Sequence, residues 1–186
     1  MTLWYVSRAT GLVALVLFTA TMVLGTLTSG RVQSPAWARF AVAELHRNLS
    51  LLSVAFLTVH IATAVLDSYV SLRWVDVVVP FVSSYQPFWL GLGTLALDVL
   101  LAVLITSLLR TRMPLRAWRA VHWLSYLCWP IAVVHGFGMA EADGNRAWVL
   151  TLDSLCVLAV VIAVACRAFA THPDTEARKP APIRAR

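Results

Sequence analysis

Charge is scarce in this chain. Asp, Glu, Lys and Arg make up 13% of its 186 residues, about half of the ~25% usual in soluble domains. Apolar residues reach 60% and the mean hydropathy is +0.77, which excludes an ordinary soluble globule and points to a polytopic membrane protein. Cysteine is scarce too: Cys128, Cys156 and Cys166 are odd in number, lie within apolar runs and form no CxxC pair. That excludes a disulfide framework or a zinc site. There is no GxGxxG fingerprint, hence no sign of a nucleotide fold, and no internal repeat. Acids are the rarer charge, 9 against 15 bases, for a net +6. The bases cluster at the ends of apolar runs, where they set membrane orientation and give no reason to invoke nucleic acid.

What is there is a series of long apolar runs. The expected fold is an all-α polytopic bundle with five spans, near residues 4–27, 39–66, 88–109, 117–137 and 148–169. The first run is too long, and its N-terminal flank not basic enough, for a cleaved signal, so it is read as a retained helix. Gly11 and Gly25 in it allow close helix contact. Residues 69–81 are apolar but too short to span; they are expected to lie at the interface or cap the bundle, and a sixth span follows if they insert. Residues 1–170 form the membrane domain. The Pro/Ala/Arg-rich tail at 171–186, including His172, is expected to be disordered.

Arg31, Arg39 and Arg47 flank the first connection, Arg110, Arg112, Arg116 and Arg119 the third, and Arg167, Arg178, Lys179, Arg184 and Arg186 the C-terminal end. The second and fourth connections carry only Arg73 and Arg146. The positive-inside rule then places the N-terminus outside and the C-terminus in the cytoplasm, the parity that five spans require. The second and fourth spans both run from inside to outside.

Those two spans carry four of the five histidines. His46 and His60 have thirteen residues between them, His122 and His135 have twelve. At ~1.5 Å per residue each pair covers roughly 20 Å of helix axis, one imidazole near each side of a hydrocarbon core ~30 Å thick. Equal depth pairs His46 with His122 on the inner side and His60 with His135 on the outer side. Imidazole in hydrocarbon needs a partner, and bis-histidine ligation of two haems b supplies one. An offset of 13 leaves His135 rotated from His122, and Pro130 between them interrupts the local hydrogen-bond ladder.

The His-x13-His and His-x12-His spacing, in the contexts AELHRNLSLL and RAWRAVHWLSYLCWPIAVVHG, resembles the ferric reductase-like transmembrane domain, and actinobacterial members in particular. That superfamily includes NADPH oxidases, ferric-chelate reductases and the haem-binding membrane subunit of bacterial methionine sulfoxide reductase. The resemblance covers roughly residues 4–169. It implies that His46, His60, His122 and His135 are haem-iron ligands. It further implies transmembrane electron transfer in a bacterial plasma membrane. The flavin and nicotinamide domain of the oxidases has no counterpart here. The electron donor is therefore expected to be a separate flavoprotein or a quinol, and the acceptor extracytoplasmic, a partner reductase among the candidates.

Arg47, beside His46, and Arg119, one turn before His122, are candidate partners for inner haem propionates. Arg8 is placed to reach an outer propionate or to snorkel. Asp98, near the middle of the third span, is read as a hydrogen-bonded structural acid, with Thr94 or Ser107 as partner. The competing function is a non-redox transporter or proton-path protein built on the buried histidines.

Overall fold

Backbone in hydrocarbon has no water to bond, so apolar runs must satisfy their own N–H and C=O groups as helices. The computed structural model describes residues 2–29, 39–68, 70–140 and 146–169, and they fold into α1 (Thr2–Ser29), α2 (Arg39–Leu66), α3 (Trp74–Val78), α4 (Pro87–Leu108), a 3-10 turn (Arg110–Arg112), α5 (Leu115–Trp123), α6 (Ser125–Met139) and α7 (Arg146–Phe169). The loop with Arg31, the acidic turn at 141–145 and the tail with His172 lie outside the described residues.

Among the described residues four helices are long and apolar enough to cross a membrane: Thr2–Leu27, Phe40–Leu66, Pro87–Leu108 and Ala147–Phe169. The run at 117–137 differs from the single span expected. It divides at Leu124 into α5 and α6. Leu124 N–H bonds the Val121 carbonyl at 2.9 Å, a tightened 3-10 step. The Ser125 hydroxyl donates to the His122 carbonyl at 2.7 Å, capping a group at the break. Pro130 inside α6 cannot donate to the Tyr126 carbonyl. Composition divides along the same line: α5 (LRAWRAVHW) is basic and amphipathic, α6 (SYLCWPIAVVHGFGM) apolar. The fifteen residues of α6 rise only ~22 Å, so α5 carries the crossing on to the basic end.

Two interiors result. One is a packed core where α1, α6 and α7 meet, built on Leu15, Met22, Trp129, Val133, Cys156 and Val160. Across it the Trp129 indole N–H donates to the Thr19 hydroxyl at 3.0 Å. The other is a cavity beside it, bordered by Leu15 and Met22 of that core and lined by α1, α2, α4, α5 and α6. The exposed apolar residues Leu52, Val59, Leu155, Val161 and Ile162 face outward from α2 and α7, as lipid-facing positions do.

α3 has five residues, too few to form a sixth span, and residues 70–81 pack on α4 instead. The Thr94 hydroxyl on α4 donates to the Asp76 carbonyl at 2.8 Å, and the Phe81 ring covers Gly91. Asp76 is 3% exposed and accepts from the Arg73 backbone N–H and guanidinium, both at 2.9 Å.

Candidate functional site

All four histidines singled out by spacing line one cavity of about 990 Å³. That volume is at the upper end of the ~300–1,000 Å³ typical of ligand and cofactor sites. α1 and α2 run antiparallel, so the start of α1 meets the end of α2. His60 therefore sits at Ser7 and Gly11, and His46 at Gly25. α4 and α6 are also antiparallel, which sets His135 beside Trp89 and Gly93. His135 and His60 lie within electrostatic range of each other, as do His122 and His46. The cavity thus holds an imidazole pair at each of two levels.

The hydrogen bonds fix which ring nitrogen faces inward. His60 Nδ1 is 2.7 Å from the Ser7 carbonyl oxygen and His135 Nδ1 is 2.7 Å from that of Trp89. A carbonyl only accepts, so both rings carry their proton on Nδ1 and keep a lone pair on Nε2. The Ser7 hydroxyl donates to the His60 carbonyl at 3.1 Å. A metal-ligating histidine commonly has this arrangement, its second nitrogen donating to a carbonyl that sets tautomer and ring orientation. His46 Nδ1 is buried without a hydrogen-bond partner among the described residues, with the Thr21 backbone close to its ring. His122 Nδ1 is buried without a partner among the described residues; its ring stacks on Trp118 with centroids 5.0 Å apart and planes 22° apart.

Cationic groups lie at both ends. Near His60 and His135, Arg8 lines the cavity, donates to the Met139 carbonyl at 2.8 Å and lies 5.2 Å from the Trp4 ring centroid. Near His46 and His122, Arg47 and Arg110 line it. Arg47 is paired with Glu44 at 2.8 Å and is largely exposed. Arg119 is exposed and does not line the cavity. Arg110 holds the place expected for it, 4.7 Å over the Trp118 ring and so linked through that ring to His122. The sequence reading gave Arg110 to the basic turn alone, because its neighbour in space, Trp118, is eight residues away across a 3-10 turn.

Asp98 is half-buried and outside the cavity lining, and Thr94 is engaged with Asp76 instead of with it. The sequence reading passed over Asp153, which is fully buried, with neither carboxyl oxygen partnered among the described residues; it packs against Gly136, next to His135. Its position inside an apolar run was the available signal.

No group of three or more His, Cys, Asp or Glu converges among the described residues, so the site offers two protein ligands per level, too few for a bare ion. Two imidazoles facing each other suit an iron already held by a macrocycle. The profile of the ferric reductase-like transmembrane component matches residues 10–133. The chain belongs to this family. The match takes in His46, His60 and His122 and stops two residues before His135. No match is found among curated proteins or solved structures. As a ferric reductase-like protein the chain is a multi-pass membrane protein in the lipid bilayer, and the family points to membrane electron transfer and to haem as the typical cofactor.

Proposed function

We infer that this chain is a di-haem b electron conduit across a bacterial plasma membrane. The supporting observation is the single apolar cavity lined by four histidines at two levels, two of them with Nδ1 tied to backbone carbonyls and Nε2 left to ligate. His46 and His122 hold one haem, His60 and His135 the other. Arg110, with Arg47 beside it, serves propionates at the first level and Arg8 at the second. Bound haem supplies one-electron chemistry; the chain supplies axial nitrogen, depth, an apolar wall and compensating positive charge.

The His46–His122 level is the cytoplasmic one on the charge bias of the connections. A separate flavoprotein or quinol delivers electrons there, and an extracytoplasmic acceptor or partner reductase takes them from the other level. The basic face formed by Arg110, Arg112, Arg116 and Arg119 favours docking of an acidic donor. A reduced-minus-oxidised visible spectrum of the purified protein, with the haem-to-protein ratio, tests the reading. Bands of b-type haem at a ratio near two are expected. A spectrum without them returns the histidines to the proton-path alternative. In liposomes, NADPH alone is expected to leave the protein oxidised, whereas NADPH with a flavin reductase, or a quinol, reduces it.

A further inference from the structure

Two of the four imidazoles, His60 and His135, rest on the same local device, and His46 has a looser version without the hydrogen bond. His60 binds the Ser7 carbonyl, and a Cβ placed on Gly11 would lie 2.8 Å from its Nδ1. His135 binds the Trp89 carbonyl, and a Cβ on Gly93 would lie 2.7 Å from its Cε1. His46 has the Thr21 backbone close to its ring, and a Cβ on Gly25 would lie 3.3 Å from its Cε1. In each case the carbonyl belongs to residue i and the glycine to residue i+4 of one helix.

Helix geometry explains the combination. The Cα–Cβ bond tilts toward the N-terminus, so the side chain at i+4 covers the turn that presents the carbonyl of residue i. Glycine at i+4 uncovers that carbonyl, whose second lone pair is then open to a ring N–H while the first serves the helix. The ring lies flat where the Cβ would be. The carbonyl sets its tautomer and the bare Cα sets its plane.

The spacing matches as well. On α1 the carbonyl–glycine units Ser7/Gly11 and Thr21/Gly25 stand fourteen residues apart, as do their histidines on antiparallel α2. On α4 the same interval beyond Gly93 falls on Ser107, and His122 has no such unit; it has the Trp118 stack instead.

We propose that Ser7/Gly11, Thr21/Gly25 and Trp89/Gly93 are positioning saddles that orient His60, His46 and His135 as axial ligands, and that the unsaddled His122 makes the two levels unequal. Both ligands at the His60–His135 level are saddled; at the other level one is. This rests on the di-haem reading and extends it to residues that touch neither iron nor macrocycle.

The test is alanine substitution with haem-resolved redox titration and EPR of the full chain. Gly11→Ala in α1 and Gly93→Ala in α4 are expected to weaken the same haem, that of His60 and His135, by roughly 10–100-fold, the usual effect of disturbing a ligand's outer partner. The haem of His46 and His122 keeps its wild-type midpoint in both variants and reports that the bundle has folded. Leu52→Ala, on the exposed face of α2 and outside the cavity lining, changes neither haem. Gly25→Ala, with the looser contact, shifts the midpoint of the His46–His122 haem without loss. Loss of both haems in both saddle variants, loss of neither, or loss of different haems by Gly11→Ala and Gly93→Ala overturns the proposal while leaving a two-haem wild type intact. A wild type without haem defeats the functional reading instead. The saddles are then read by ¹⁵N NMR, which is expected to show Nδ1–H tautomers at His60 and His135 and loss of the His60 signature in Gly11→Ala.

Discussion

Removing the Thr19 acceptor isolates one bond that ties α1 to α6 across the packed core. Trp129 and Thr19 are 7% and 5% exposed, and the indole N–H donates to the Thr19 hydroxyl across 3.0 Å. That hydroxyl spends its own proton on the Leu15 carbonyl at 2.8 Å, so it is free to accept. Thr19→Val keeps the shape and deletes the acceptor. Interhelical hydrogen bonds in membranes average ~0.6 kcal/mol and reach ~1.7. A buried donor left without a partner costs ~1–3 kcal/mol. The two ranges overlap at about 1–1.7 kcal/mol, which is the loss expected for Thr19→Val. Trp129→Phe removes the donor and part of the core that packs on Leu15 and Met22, and should cost more. The double variant no longer carries an orphaned N–H, so the cycle should show a coupling of about 1 kcal/mol. Reversible unfolding in mixed micelles, followed by circular dichroism, reads all four proteins. Additivity within ~0.3–0.5 kcal/mol would refute the assignment, because independent sites behave that way.

The remaining expectations concern ligation, topology and pH. His46→Ala and His122→Ala should each abolish the same haem, and His60→Ala and His135→Ala the other; a spectrum in which His46→Ala removes the haem lost in His135→Ala breaks the two-level pairing. A cysteine at Ser84, exposed between α3 and α4, should react with an impermeant maleimide from outside, and one at Thr111 only after lysis; the opposite pattern inverts the orientation. The Arg73 side chain, then its backbone N–H and charge, hold the Asp76 carboxyl below its usual range. A carboxylate with a depressed folded pKa contributes stability above the unfolded value of ~3.9 and loses it as pH falls through the folded one. Melting temperature should therefore drop between pH 6 and pH 3, and Asp76→Asn should flatten that part of the drop; an unchanged slope discounts the pair. Asp153→Leu should leave both haems in place and raise the melting temperature, since it removes two unpartnered carboxyl oxygens; loss of haem would make the acid part of the site.

Hydropathy was enough to find α1, α2, α4 and α7, because an apolar run of that length has one solution in hydrocarbon. The same signal merged α5 with α6. Window averages do not see a 3-10 step at Leu124, and Pro130, the residue that attracted notice, lies inside α6 and not at the break. The four histidines were legible as a set because the spacing of His46 and His60 nearly recurs in His122 and His135. What holds them was not, since Ser7 and His60 are 53 residues apart and Trp89 and His135 are 46 apart. Gly11 and Gly25 stood out as small residues suited to helix contact; that imidazoles and not helix backbone fill the space follows only from the antiparallel register of α1 on α2. Arg119 looked apt by adjacency to His122, but it is exposed and outside the cavity lining, whereas Trp118, one turn before His122, and Arg110 line it.

The two saddles on α1 make the segment between Gly11 and Gly25 a gauge block: its length sets the distance between the stations, while its buried side chains, Leu15, Thr19 and Met22, serve the packed core. Exchanging one aliphatic residue for another among the thirteen residues between them leaves both stations where they are. Inserting a single residue advances one station by ~1.5 Å and swings it by ~100° about the axis, so that Gly25 turns away from His46 while Gly11 still meets His60. Only a compensating insertion between His46 and His60 would realign the two helices. Length variation in this part of the chain is therefore expected to come in matched pairs or not at all.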